Sequence, residues 1–157
     1  MNKKKITELL IFIVSAELVG ALSALFTGSF SAAYDVMTKP PLSPPAFLFP
    51  VVWTILYAVM GASAYLVFVS RVPQYQKGGA LKIYGAQLIV NFFWSIIYFR
   101  LEMRGVALID IIVLDILVAL MILRFYRIRP ISGLMNAPYM VWLLFATYLN
   151  LATVILN

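Results

Sequence analysis

Five long apolar segments, separated by short polar breaks, dominate this sequence. They cover residues 6–27, 47–69, 81–99, 106–125 and 133–156. Each has about the 20 apolar residues that an α-helix needs to cross the hydrocarbon core of a bilayer. The breaks contain Pro, Gly and basic residues, which end helices and form turns. The sequence therefore predicts an all-α fold, a single integral membrane bundle of five transmembrane helices joined by short connections.

The composition excludes most soluble and metal-dependent classes of protein. Hydrophobic residues make up 64% of the chain and charged residues 11%, against about 45–50% and about 25% in a soluble domain. There is no Cys and no His, so thiolate nucleophiles, imidazole bases and the common ligands of zinc and haem iron are missing. No two carboxylates have an i, i+3 or i, i+4 spacing. We expect no metal site and no resident cofactor.

The basic residues predict how the bundle is oriented in the membrane. Lys and Arg stand between the apolar runs and form no stripe that would indicate a nucleic-acid partner. Most fall at the N-terminus and in the second and fourth breaks, namely Lys3, Lys4, Lys5, Arg71, Lys77, Lys82, Arg124, Arg127 and Arg129. The positive-inside rule then predicts a multi-pass protein with a cytoplasmic N-terminus and an external C-terminus.

The first connection, residues 28–46, is the longest and contains the Pro-rich segment Lys39-Pro40-Pro41-Leu42-Ser43-Pro44-Pro45. Long ordered connections often act as lids or binding surfaces. We interpret this loop as a lid on the outer side, with a stiff spacer as the alternative. The first apolar run, followed by Ser31-Ala32-Ala33, also resembles a signal peptide. Because the run is too long for one and contains Glu17, we expect it to remain as a helix.

Several polar residues lie inside the apolar runs, where a central charged group costs roughly 2.5–3.5 kcal/mol on insertion scales. They are Glu17, Gln87, Asn91, Asp110, Asp115 and Asn150. Such groups should face the bundle interior and pair with one another. In the third run, Gln87, Asn91, Trp94, Ser95 and Tyr98 form one stripe at helical spacing. The stripe predicts either interhelical hydrogen bonds, worth about 0.6 kcal/mol each, or one wall of a binding site.

Two further stripes combine aromatic rings with small or polar residues. The second run contributes Trp53 and Tyr57, and the fifth contributes Tyr139, Trp142, Ala146 and Asn150. If these stripes converge, indole and phenol rings with a few amides would hold a large planar ligand such as a porphyrin by its faces and edges. The cations expected on the outer side, Lys39, Arg100 and Arg104, could pair with the carboxylates of that ligand, or be solvated surface charges.

With these residues identified, the chain resembles the translocator protein family (TspO/MBR), also known as the peripheral benzodiazepine receptor family. The likeness extends from about Tyr34 to Asn150, and Asp110 also fits. The first matching segment is Lys39-Pro40-Pro41 and Ser43-Pro44-Pro45, leading into Val52-Trp53-Thr54-Ile55-Leu56-Tyr57 and Met60-Gly61. The other two are Gln87-Leu88 with Asn91 and Trp94, and Pro138-Tyr139 with Trp142, Phe145-Ala146-Thr147 and Leu149-Asn150.

The resemblance implies a bacterial cell-membrane protein, often dimeric, with a cavity under the first loop. It implies binding of porphyrins of the protoporphyrin IX class and of benzodiazepine- or isoquinoline-type ligands, in a response to tetrapyrrole or oxidative stress. Together with the stripes, it gives the candidate ligand-binding residues Trp53, Tyr57, Gln87, Asn91, Trp94, Asp110, Trp142, Ala146 and Asn150. Trp53 and Trp142 would be the catalytic indoles if the protein degrades porphyrin under light.

The chain departs from the family pattern at three places. Leu42 and Ala33 stand where many members have Trp, which weakens aromatic stacking in the loop. No cation follows Asn150, so the Leu or Val, Tyr, Lys or Arg pattern associated with sterols is missing. Strong cholesterol binding is therefore not expected.

Three functional hypotheses remain open from the sequence. The favoured one is a porphyrin-binding sensor or scavenger, because no conventional set of acid, base, nucleophile or metal ligands is present. The second is an enzyme that degrades porphyrin with light, using Trp53 and Trp142. The third is a small transporter of tetrapyrroles in which Glu17, Asp110 and Asp115 couple substrate movement to protons.

Overall fold

The computed structural model describes residues 3–28, 34–35 and 37–156, and every regular element in them is a helix. The helices are α1 (Lys3–Thr27), α2 (Leu48–Phe68), α3 (Gln74–Ser95, continued by a π-helical turn at Ile96–Arg100), α4 (Arg104–Ile128), a short α5 (Pro130–Leu134) and α6 (Ala137–Leu156). They form five spans that are long and apolar enough to cross a membrane, the fifth made of α5 and α6 together. The prediction of an all-α membrane bundle with five transmembrane helices is confirmed.

Two helix ends differ from the apolar runs that predicted them. Helix α3 begins at Gln74, directly after Pro73 and inside the segment that the sequence indicated as a break. The fifth span begins at Pro130, which occupies the first helical position, and is interrupted after Leu134. In both cases a proline with favourable backbone geometry starts the helix before the apolar residues begin. Hydropathy indicates the membrane-buried part of a helix, and the helix itself extends further.

The five spans form a ring. Helix α1 packs against α2 and α3, α3 packs against α4, and α4 packs against α5 and α6. Ring contacts between α2 and α6 close the circle, with Trp53 against Tyr139 and Phe49 against Trp142. The order around the bundle is therefore first, second, fifth, fourth and third span.

The outer surface of this ring is apolar, as a lipid-facing surface must be. Leu25, Ile109 and Val141 are each more than 60% exposed in the isolated chain. The interior contains the large side chains Tyr139, Phe125 and Met60 together with the amides Gln87, Asn136 and Asn150, all fully buried. The polar residues of the spans are thus concentrated on the inner faces of the helices.

Glycine allows the closest contacts between helices. A Cβ atom at Gly61 of α2 would lie 2.6 Å from the carbonyl oxygen of Phe12 in α1, and one at Gly133 would lie 2.6 Å from Cβ of Tyr126. No side chain fits at these distances, because the neighbouring atoms belong to the backbone or are fixed to it. Gly61 therefore allows α1 and α2 to approach closely, and Gly133 does the same for α4 and α5.

Candidate functional site

A cavity of about 280 Å³ lies between α1, α2 and α3. It extends from the middle of these helices to the end where the Pro-rich loop connects α1 to α2, with Thr27, Phe49 and Phe99 at the loop end. It is partly open, and the exposed lining residues Ala21 and Ala24 of α1 and Thr54 of α2 place its opening between those helices.

Two aromatic rings from successive turns of α2 form one wall of the cavity. The ring centroids of Trp53 and Tyr57 are 5.8 Å apart. The Trp53 indole also meets the ring of Tyr139 edge to face, at 6.1 Å and 69°. These contacts hold Trp53 between two phenol rings while one side of the indole lines the cavity. The wall offers a broad π-surface of the kind on which a flat ligand can stack.

A buried hydrogen-bond network lies behind that wall. The Tyr139 hydroxyl donates to Oε1 of Gln87 at 2.9 Å and accepts from Nδ2 of Asn91 at 3.0 Å. The other end of the Gln87 amide points to the sulfur of Met60 at 3.5 Å. Of these residues only Asn91 lines the cavity, whereas Gln87 and Tyr139 are fully buried behind it. The network fixes Tyr139, which in turn positions Trp53.

The indole of Trp94 forms part of the α3 wall, and a second network orients it. Its Nε1 donates to Oδ1 of Asn150 at 3.2 Å, and Nδ2 of Asn150 donates to the backbone oxygen of Arg104 at 2.9 Å. The Trp94 ring stacks on Tyr98 with centroids 5.2 Å apart. Asn150 therefore ties α6 to both α3 and α4, and it lies outside the large cavity.

Two of the expected pocket residues lie on the far side of an aromatic partition. Trp142 packs edge to face against Phe49, with ring centroids 5.9 Å apart, and does not line the large cavity. Ala146 instead borders a space of about 20 Å³ that also touches Lys39, Pro40 and Asn150 under the Pro-rich loop. Phe49, Trp94 and Phe99 line both spaces. The stripes on α2 and α3 thus line one cavity. The α6 residues pack against those stripes and do not line that cavity themselves.

The carboxylates of the spans occupy three separate places. Glu17 lines the large cavity. Asp115 of α4 accepts a hydrogen bond from the Thr147 hydroxyl of α6 at 2.9 Å. Asp110 is partly buried, and one of its oxygens has no hydrogen-bond partner in the described residues. Because Asp110 and Asp115 do not line the cavity, a proton-coupled pathway through all three carboxylates has no common space in this conformation.

The three cations expected near the loop have different surroundings. Lys39 forms an exposed ion pair with Asp35 at 3.4 Å, and its ammonium lies 4.7 Å from the centre of the Tyr34 ring. Arg100 donates from Nη1 to the backbone oxygen of Phe26 at 2.7 Å, next to the C-terminal end of α1. Nε of Arg104 is buried with no hydrogen-bond partner among the described residues. Of these, Arg100 is nearest in sequence to cavity residues, since Phe99 lines the wall.

The described residues of the loop are tied to one another and to α6 at this end. The Tyr34 hydroxyl donates to the Pro44 oxygen at 2.6 Å, and the Tyr148 hydroxyl of α6 donates to the Pro41 oxygen at 3.1 Å. Leu42 has a φ of 67° and is 79% exposed, so it does not stack inside the loop. Residues 29–33, which include Ser31-Ala32-Ala33, lie outside the described residues.

The α1 wall is the part of the site that the aromatic stripes did not reveal. Glu17, Gly20, Ser23 and Thr27 all line the cavity. The Ser23 hydroxyl is 2.7 Å from that of Ser95 and the Thr27 hydroxyl is 2.9 Å from it, which joins α1 to α3. These residues follow a helical stripe in the sequence, but their small side chains give a weak signal beside Trp and Tyr.

Comparison with known proteins agrees with this architecture. The sequence model of the TspO/MBR family matches residues 12–156. A tryptophan-rich protein TspO of Chlorobaculum tepidum is 34% identical over the whole of this chain and 99% of that protein. A protein of the same name from Archaeoglobus fulgidus is 36% identical over 90% of this chain and 95% of its own length. The translocator protein of Bos taurus is 29% identical over 88% of this chain and 83% of its own.

Proposed function

Because the chain belongs to the TspO/MBR family, we propose that it is a membrane receptor-like protein that binds porphyrins of the protoporphyrin IX class. Flat synthetic ligands of the benzodiazepine and isoquinoline type would occupy the same cavity between α1, α2 and α3. In this proposal the protein acts as a homodimer in the bacterial cell membrane, in a tetrapyrrole or oxidative stress response. Its N-terminus is cytoplasmic, and the Pro-rich loop is the outer lid.

The observation that supports this proposal is the convergence of two aromatic walls, from α2 and α3, on one space. Trp53 and Tyr57 supply aromatic faces from α2, Trp94 supplies another from α3, and Asn91 adds one amide. Apolar, aromatic-rich clefts with a few polar groups are typical of sites for hydrophobic small molecules. The volume of about 280 Å³ is close to the lower end of the usual range of about 300–1,000 Å³. A macrocycle would therefore extend through the opening between α1 and α2.

Direct titration with protoporphyrin IX tests the proposal. The protein is purified in detergent, and binding is followed by the fluorescence anisotropy of the porphyrin, which does not depend on the indoles as reporters. We expect saturable binding, and an increase in Kd of about tenfold for Trp53→Ala, since stacking on a buried aromatic ring contributes on the order of 1 kcal/mol or more. Trp142→Ala is the matched control, because it removes the same ring outside the cavity, and it should bind like the wild type. Binding that does not saturate would exclude the cavity as a porphyrin site.

A light-dependent enzyme is the second candidate, and the position of Trp53 favours it. An excited porphyrin in the cavity would contact this indole, which is itself 6.1 Å from the ring of Tyr139. Trp142 is separated from the cavity by Phe49, so it could act only through that neighbour. Under illumination, Trp53→Phe should slow the loss of the porphyrin absorption bands more than Trp142→Phe does. Equal rates in wild type, both single variants and the double variant would remove the proposed role of the indoles.

A further inference from the structure

Among the described residues, Glu17 is the only acidic one that lines the large cavity, and the aromatic stripes do not explain it. It lies near the middle of the first span, Lys3–Thr27, at the end of the cavity furthest from the Pro-rich loop. Its carboxyl group lies near the Tyr57 side chain and the Ala58 backbone of α2. Tyr57 and Asn91 mark the same deep end of the cavity on α2 and α3. The deep end of the cavity therefore contains an acidic group beside a phenol and an amide.

No cation of the described chain neutralises this group. The one ion pair found among the described residues joins Lys39 and Asp35 at the loop. Lys5 lies twelve residues before Glu17 on α1, which is about 18 Å along a helix at 1.5 Å per residue. Arg100 bonds to the carbonyl of Phe26, nine residues after Glu17 and thus about 13 Å away along the axis. An ionisable residue at membrane depth that no cation neutralises is a candidate functional residue.

The cavity is consequently asymmetric in charge along its length. Its deep end has the Glu17 carboxyl, whereas its loop end, at Thr27 and Phe99, is adjacent to the Arg100 guanidinium. An acidic substituent of a ligand would be repelled at the deep end and attracted at the loop end. A basic substituent would have the opposite preference. The two ends should therefore select different parts of one flat molecule.

Resting on the proposed binding function, we propose that the cavity accepts a flat aromatic ligand whose protonated amine pairs with Glu17. Acidic substituents, where the ligand has them, lie toward Arg100. Because Glu17 is near the middle of the span, the amine comes from a ligand inside the cavity and not from a lipid headgroup at the membrane surface. Glu17 thereby selects ligands that have a protonated amine and determines how they are oriented in the cavity. The aromatic walls supply most of the contact area.

A matched pair of probes tests this inference. 1-Pyrenemethylammonium and 1-pyrenemethanol share one ring system and differ in the charge of the substituent. Equilibrium dialysis against the purified protein fixes the free concentration of each probe and so removes differences in detergent partitioning. The wild type should bind the amine about tenfold more tightly than the alcohol, since charge-assisted hydrogen bonds are stronger than neutral ones. Glu17→Gln should reduce that ratio to about one.

Glu8→Gln is the control, because it makes the same change of charge on the same helix away from the cavity. It should keep the wild-type ratio. An equal preference for amine and alcohol in the wild type overturns the inference, even if Glu17→Gln does not fold. The inference is also overturned if folded Glu17→Gln keeps the wild-type ratio of amine to alcohol affinity. The same holds if Glu8→Gln lowers that ratio as much as Glu17→Gln does.

The same measurements distinguish a failure of the Glu17 inference from a failure of the proposed binding function. If protoporphyrin IX and both pyrene probes bind saturably but without preference, the cavity is a binding site and only the role of Glu17 is wrong. If none of the three binds saturably, the proposed function itself fails.

Discussion

Gly20 of α1 faces the ring of Tyr57 of α2 so closely that a Cβ atom at position 20 would lie 2.6 Å from Cδ2 of that ring. Both residues line the large cavity. The missing side chain at position 20 therefore determines where the Tyr57 ring lies, and with it the shape of the deep end. Gly20 thus serves packing within one chain, while the predicted homodimer stays a prediction.

Replacing Gly20 should alter ligand binding more than stability. In Gly20→Ala, the Tyr57 ring has to turn aside into the cavity, because a ring on a flexible side chain moves more easily than a helix backbone. We expect the Kd for protoporphyrin IX to rise about tenfold or more, measured by porphyrin anisotropy. Gly85→Ala in α3 is the control, since a Cβ there meets nothing within 4 Å. Equal affinities in the two variants would mean that Tyr57 does not shape the site.

Replacing Gly61 should instead destabilise the bundle. A Cβ at this position meets the Phe12 carbonyl oxygen at 2.6 Å and Cα of Ile13 at 2.7 Å, both backbone atoms of α1. Gly61→Ala must therefore separate α1 from α2, with a loss of packing on the order of 1–3 kcal/mol, as for other overpacked sites. The measurement is unfolding in mixed detergent micelles, compared with Gly85→Ala. A variant as stable as that control would contradict the close helix contact.

The Tyr139 hydroxyl is the centre of the buried network between α3 and α6. In Tyr139→Phe, Oε1 of Gln87 and Nδ2 of Asn91 lose their partner in a fully buried region. An unsatisfied buried polar group costs about 1–3 kcal/mol, so the unfolding free energy should fall by at least that much. Tyr75→Phe, whose side chain is 76% exposed, should be neutral. If both variants unfold alike, the network contributes nothing to stability.

Asn150 should be important for stability without contacting the ligand in the large cavity. Asn150→Leu removes the bonds to Trp94 Nε1 and to the Arg104 oxygen, which join three helices. At about 0.6 kcal/mol per interhelical hydrogen bond, the expected loss is on the order of 1 kcal/mol. Thr7→Val removes only an exposed bond within α1 and is the control. A large loss of porphyrin affinity with unchanged stability would instead place Asn150 in the binding site.

The candidate site could be predicted in part from the sequence. Gln87 and Asn91 were expected to face inward and pair, and both are buried and hydrogen-bonded to Tyr139. Trp53, Tyr57 and Trp94 were expected to share a space, and all three line the cavity. Gln87 lies behind the cavity wall, and four other residues predicted to bind the ligand, Trp142, Ala146, Asn150 and Asp110, lie outside that cavity. Their helices occupy the opposite side of the ring from α1.

The amino-acid sequence was sufficient to predict five membrane-crossing helices with an apolar outer surface. A bilayer imposes this locally, because about 20 apolar residues must satisfy their own backbone hydrogen bonds in lipid. Which stripes meet depends instead on how the helices pack against one another. The ring order puts α1 beside both α2 and α3, so Glu17 and Gly20 join Trp53 and Asn91 around one space, and Phe49 divides that space from Trp142. Helix order and rotation depend on contacts between residues far apart in the chain, and no local periodicity specifies them.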